Sequence, residues 1–116
     1  MKAISPSSYS RFLNALDSLD RMSPGSSLDS LEEKILDHIY LVSVNGQKIL
    51  VGDIILLKQF GSQATLHGRL KNLVGKGFIE LQGEKDDARR KSVHITAKAE
   101  KHYQQLSDCL AQALKI

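Results

Sequence analysis

Tryptophan is absent from this 116-residue chain, and three phenylalanines and three tyrosines are its only large aromatics. A core must therefore be built from leucine, isoleucine and valine. A single cysteine, Cys109, excludes an intrachain disulfide and is compatible with a reducing cytosol. No apolar run approaches the ~18 residues of a membrane-spanning helix. The N-terminus lacks the basic-then-apolar pattern of a secretory signal. Tandem repeats and low-complexity tails are missing too. The expectation is a cytoplasmic protein with no membrane partner.

Catalytic and metal-binding patterns are equally scarce. His38, His67, His94 and His102 fall on four different segments, none with a Cys, Asp or second His at ligand spacing on one helix face. Cys109 has no basic neighbour to activate it and reads as a small apolar residue. Gly75 and Gly77 lack the Gly-Lys-Ser/Thr ending of a phosphate loop and follow a helical segment. No catalytic residue, metal or cofactor is expected, and an enzyme is the least favoured class.

What is present is an uneven charge. The chain has a net charge of +3 and a pI near 9.1. Residues 62–91 hold seven Lys/Arg against four Asp/Glu, whereas residues 1–37 hold four against six. One segment thus carries the positive field and fits a polyanion partner. An apolar content of 41% and a charged content of 25% place the chain among folded globular proteins, and its length allows one ordinary domain over residues 1–116.

In chain order, Ser5-Pro6 predicts a helix start, and Tyr9, Phe12, Leu16 and Leu19 mark an apolar stripe over 5–22, with Leu13 alongside. Ser23-Pro24-Gly25-Ser26-Ser27 predicts a loop. The next helix begins at Asp29 or Ser30, each with a Glu three residues on, and stops at Asn45-Gly46. Its apolar arc is broad, as for a central helix. Lys48-Ile49-Leu50-Val51 is expected as a short third strand. Gly52–Gln59 is expected as a helix with a poor cap, its Ile54, Ile55 and Leu57 joining the core.

Ser62 can cap the helix after Gly61. Leu66, Leu70 and Leu73 form one narrow buried face. Gln63, Thr65, His67, Arg69, Lys71 and Asn72 occupy the remaining surface, as either an ordinary solvated face or a set of phosphate and base-edge contacts. Two β-like runs follow, Phe78–Leu81 and Ser92–Thr96, joined by a tip ending in Arg89-Arg90-Lys91. A ribbon with such a tip can place cations in a minor groove or on phosphates, with Asp87 bracing Arg89 or Arg90. Thr96 caps a last helix over 97–115. Its Ala99, Tyr103, Leu106, Leu110 and Ala113 repeat in heptad-like steps.

Residues 50–101 resemble the MarR-type winged-helix transcription regulators. The resemblance rests on Leu73-Val74-Gly75-Lys76-Gly77-Phe78-Ile79, then the Asp-x-Arg wing Asp87-Ala88-Arg89-Arg90, then the helix start Ile95-Thr96-Ala97-Lys98-Ala99. Where that family often has Thr-Arg, this chain has His67-Gly68 and places Arg69 one residue later. The resemblance implies a mainly α fold with a small β wing, in which a winged helix-turn-helix core (29–96) lies between dimerisation helices. It also implies double-stranded DNA as partner and leaves room for a small-molecule effector.

The reading of the whole is a homodimeric, sequence-specific DNA-binding regulator. Ser62, Gln63, Thr65, His67, Arg69, Lys71 and Asn72 would enter the major groove, with Arg89, Arg90 and Lys91 on the minor groove or phosphates. Phe12, Leu16, Leu19, Tyr103, Leu106 and Leu110 would form the dimer interface, the other reading being that the terminal helices pack on the winged domain of their own chain. The alternative is a winged-helix protein–protein adaptor that binds no DNA, in which Gly68 allows close approach of a partner.

Overall fold

The computed structural model describes residues 4–22 and 28–115, and the expected loop at 23–27 lies outside them. The described residues form five α-helices and a two-stranded sheet. They divide into two compact units, residues 28–100 and residues 4–22 with 101–115.

The 28–100 unit is built on α2 (Ser30–Val44). Asp29 caps it: the Asp29 carboxylate accepts from the Glu32 N–H at 2.8 Å, and the Glu32 carboxylate accepts from the Asp29 N–H at 3.0 Å. This is the reciprocal box expected from the spacing. At the other end Gly46 takes φ 73°. The Gly46 and Gln47 N–H groups reach back to Ser43 O and Val42 O, a Schellman stop. Ile35, Leu36 and Ile39 are fully buried and make α2 the centre of this core.

The expected third strand shrinks to one bridge, Leu50 with Ser92, supported by Val93 N–H to Ile49 O at 2.9 Å. It cannot lengthen because α3 (Val51–Ile55) starts at the next residue. Leu50 has no side-chain cap to offer, but Asp53 folds back and accepts from the Leu50 N–H at 2.9 Å. The helix expected to reach Gln59 stops at Ile55, and a single 3-10 turn covers Lys58–Phe60. Of its three expected core residues, Ile54 is buried while Ile55 and Leu57 are half-buried.

After Gly61, at φ 145°, Ser62 starts α4 (Gln63–Gly75) by accepting from the Thr65 N–H. Leu66, Leu70 and Leu73 are buried as the spacing predicts. Each contributes about 1.5–3 kcal/mol of burial. Gly77, at φ 83°, ends α4 with a second Schellman pair, Gly77 N–H to Val74 O and Phe78 N–H to Leu73 O. The chain then enters β1 (Ile79–Gly83), which pairs antiparallel with β2 (Lys91–Ile95) in the register Ile79 with Ile95 through Gly83 with Lys91. This hairpin is the wing.

Gly83 is where the wing leaves no room. A Cβ there would meet the Ala88 carbonyl oxygen at 3.0 Å and the Ala88 Cα at 3.2 Å, and backbone cannot step aside as a side chain can. Gly83→Val should therefore disorder the 84–90 tip while leaving the helical content intact. Amide exchange should quicken across Glu84–Arg90 and stay slow in α4. Unchanged exchange at the tip would show that the hairpin absorbs the clash.

The Thr96 hydroxyl joins two elements. It donates to Gly77 O at 2.6 Å and accepts from the Ala99 N–H at 3.2 Å, capping α5 (Ala97–Leu114) against the end of α4. Lys98 adds a bond from Nζ to Lys76 O at 2.6 Å and lies over the Phe78 ring.

In the second unit α1 (Ser8–Met22) starts two residues beyond the Ser5-Pro6 signal. Ser7 wins as cap because Ser7 and Ser10 exchange bonds, each side chain accepting from the other's N–H. Arg11 Nε donates to Ala113 O at 3.0 Å, tying α1 to the end of α5. No residue of α1 is fully buried.

Candidate nucleic-acid interface

Three segments of the 28–100 unit enclose a groove of about 610 Å³: α4, the wing, and the turn into α3. Its walls carry His67 and Lys71 from α4 and Arg89, Arg90 and Lys91 from the wing. Five of the ten residues expected at the interface therefore come together. Leu50, Val51, Leu70, Val74 and Leu81 also line the groove and make its surface largely apolar. Such a lining suits sugar rings and thymine methyl groups between phosphate-directed cations.

The wing tip is braced as its sequence suggested. The Asp87 carboxylate accepts from Arg89 Nε at 3.2 Å and from the Arg89 N–H at 3.0 Å. The Arg89 side-chain bond first, then its N–H, outweigh the opposing effect of burial and, with a still smaller contribution from the charge of Arg90, hold the Asp87 carboxyl below its ordinary range. Asp87 thus stays ionised and cancels part of the Arg89 charge. No ion pair involves Lys71, Arg90 or Lys91 among the described residues, and all three are exposed.

The other five expected residues divide into two groups. Ser62 and Thr65 are exposed but occupied with each other, the Ser62 hydroxyl donating to Thr65 Oγ1 at 2.9 Å. Gln63 is exposed in the first turn of α4, where free backbone N–H groups also favour an anion. Arg69 and Asn72 are placed differently. Arg69 Nε pairs with Asp29 at 2.9 Å, and Asn72 Nδ2 donates to Glu32 Oε2 at 2.9 Å. Neither lines the groove. Residues 69 and 72 of α4 and its C-cap Lys76 face the acidic start of α2, while 67, 71 and 74 face the groove.

Glu32 is the functional candidate that sequence reasoning passed over. Its capping role was legible. Its bonds to Asn72 and Lys76 were not, because they span 40 and 44 residues. The remaining expectations concern the terminal helices. Phe12, Leu16, Leu19 and Leu106 are half-buried, Leu110 is 50% exposed, and Tyr103 is already buried within its own chain at 8%. Tyr9, Leu13, Met22 and Leu114 add exposed apolar surface to these helices. His94 shares a 2.8 Å bond with Ser92 on β2. No cluster of three or more His, Cys, Asp or Glu suited to a metal occurs among the described residues. No helix among them is long and apolar enough to cross a membrane.

No protein-family model matches the sequence, and no curated protein matches it. Solved structures do. A mutant of S. aureus MepR is similar at a TM-score of 0.62 and 19% identity, covering 90% of this chain and 72% of that one. The heme sensor protein PefR from Streptococcus agalactiae, in complex with heme, gives 0.59 and 20%, covering 86% and 69%. BpsR of Bordetella bronchiseptica, whose DNA binding is regulated by 6-hydroxynicotinic acid, gives 0.55 and 16%, covering 91% and 70%. These neighbours are MarR-family transcriptional regulators. At such identities the likeness is one of fold: this chain has the winged helix-turn-helix fold of that family.

Proposed function

We propose that this chain is a MarR-type transcriptional regulator that binds duplex DNA as a homodimer. The supporting observation is the single groove that α4 and the wing line together, with Lys71, Arg89, Arg90 and Lys91 at its walls. In this reading Gln63 and His67 read base edges and Lys71 meets a flanking phosphate. Arg90 and Lys91 track the minor groove or its phosphates, and Arg89, braced by Asp87, is aimed and partly neutralised. Arg69 and Asn72 are not readers in this proposal, because Arg69 is paired with Asp29 and Asn72 donates to Glu32. The regulator would be cytoplasmic and non-enzymatic. The ligands of PefR and BpsR keep a small-molecule effector open for this chain, without indicating which.

Selecting bound duplexes from a random pool tests this reading. A palindromic motif is expected, since two copies related by two-fold symmetry present two recognition helices to two half-sites. Recovery of no enriched sequence, together with no gel shift of random duplex at low salt, would favour the adaptor reading instead.

A further inference from the structure

Glu32 is only 1% exposed, yet it carries a carboxylate. A buried charge persists only when its lone pairs are met. Here Oε1 accepts from the Asp29 N–H at 3.0 Å and from Lys76 Nζ at 2.7 Å, while Oε2 accepts from Asn72 Nδ2 at 2.9 Å. The beginning of α2 is thereby fastened to the second half of α4, and the Arg69–Asp29 pair adds a further link one turn earlier. Burial opposes ionisation of Glu32. The bonds from Lys76, the Asp29 N–H and Asn72, with the charge of Lys76, outweigh it and hold the carboxyl below its ordinary value.

Helix capping needs only the Asp29 bond and leaves the attachment to α4 unexplained. Leu66, Leu70 and Leu73 seat α4 on the core through non-directional contacts, which tolerate small rotations about its axis. Hydrogen bonds tolerate far less. Side-chain tips lie about 5–6 Å from a helix axis, so a rotation of about 20° moves them by about 2 Å, enough to break a bond of ordinary length. Gly68 sharpens the need, because a glycine inside a helix weakens it by about 0.5–1 kcal/mol relative to alanine, and this one lies between the groove residues His67 and Lys71.

We propose that Glu32 is a positioning residue for DNA recognition, setting through Asn72 and Lys76 the rotation of α4 and hence the aim of Gln63, His67 and Lys71. The proposal rests on the DNA-binding reading. It separates two properties: phosphate contacts from the wing need no exact rotation of α4, whereas base reading does. Losing the clamp should therefore lower discrimination while leaving non-specific binding in place.

The test compares wild type, Glu32→Met, Glu32→Gln and Lys76→Met. Each is titrated against the selected duplex and a scrambled duplex of equal length at one salt concentration. Circular dichroism confirms that each variant is folded at the working temperature. For Glu32→Met the ratio of the two affinities should fall about tenfold, the size of one poorly made base contact, with scrambled-duplex affinity unchanged. Glu32→Gln should restore most of the ratio. Its amide oxygen can accept from Asp29 and Lys76, and its NH₂ can donate to Asn72 once that amide is flipped. Lys76→Met keeps the Asn72 bond and should fall between, which keeps the test decisive if Glu32→Met does not fold. Equal weakening toward both duplexes, or a Gln variant no better than the Met variant, would reduce Glu32 to a purely structural role and overturn the proposal. A wild type that selects no sequence would defeat the DNA-binding reading and this proposal with it, whereas sequence selection left intact in Glu32→Met and Lys76→Met would defeat this proposal alone.

Discussion

Replacing Arg89, Arg90 and Lys91 together with alanine should weaken binding to every duplex roughly hundredfold in moderate salt, with little change in which sequence is preferred. The reason is counterion release. Each neutralised phosphate contributes about −0.9 to the slope of log affinity against log salt, so three lost contacts should flatten that slope by about 2.7. The three residues will not contribute equally. Arg89 shares its charge with Asp87 at 3.2 Å, whereas Arg90 and Lys91 are exposed and pair with no acid among the described residues. Arg90→Ala and Lys91→Ala should each cost more than Arg89→Ala, and Asp87→Asn should strengthen non-specific binding by freeing the Arg89 charge. Fluorescence anisotropy of a labelled duplex across a potassium chloride series measures both affinity and slope. An unchanged slope in the triple variant would remove the wing from the interface and leave Lys71 and the α4 N-terminus to carry the contact.

What could be read ahead of the fold was whatever a few neighbouring residues decide between themselves. The Asp29 box, the Ser62 cap, the glycines at 46 and 77, the leucine stripe of α4 and the Asp87–Arg89 brace all act over spans of two to seven residues, and each is where the spacing places it. Arg69 and Asn72 lie off the leucine stripe, but periodicity separates buried from exposed without saying which exposed side has a neighbour. The start of α2 takes that side, and it is acidic. The Lys48–Val51 strand was lost to a competing local signal, the Asp53 fold-back that draws Val51 into α3. Ser5-Pro6 gave way to Ser7 because a reciprocal serine pair satisfies two N–H groups where a lone cap satisfies one. The groove itself was half legible: a basic wing was visible in composition, but its meeting with His67 and Lys71 depends on contacts distant in sequence.

Leu13→Glu combined with Leu110→Glu should convert the proposed dimer into a monomer of 12.9 kDa without unfolding the 28–100 unit. A fifteen-residue helix in which no residue is fully buried has not completed its packing within its own chain. Leu13 and Leu110 are 47% and 50% exposed, and Tyr9, Met22 and Leu114 are more exposed still. In the proposed dimer, this apolar surface on both terminal helices would be the association face. Two-fold pairing would use each leucine twice, and burying the exposed half of each is worth about 0.8–1.5 kcal/mol, half the value of a whole side chain. A glutamate at each position replaces that gain with the cost of desolvating a charge. Tyr103 belongs to a different category from the other expected interface residues. At 8% exposure it is already packed, so Tyr103→Ala should lower the melting temperature rather than change the mass. Sedimentation velocity gives the oligomeric state directly. The same variant should lose about hundredfold or more in affinity for a palindromic duplex, because the second half-site is no longer engaged intramolecularly, and little for a single half-site. A wild type that sediments as a monomer, or a double variant that remains dimeric, would remove the terminal helices as the pairing surface.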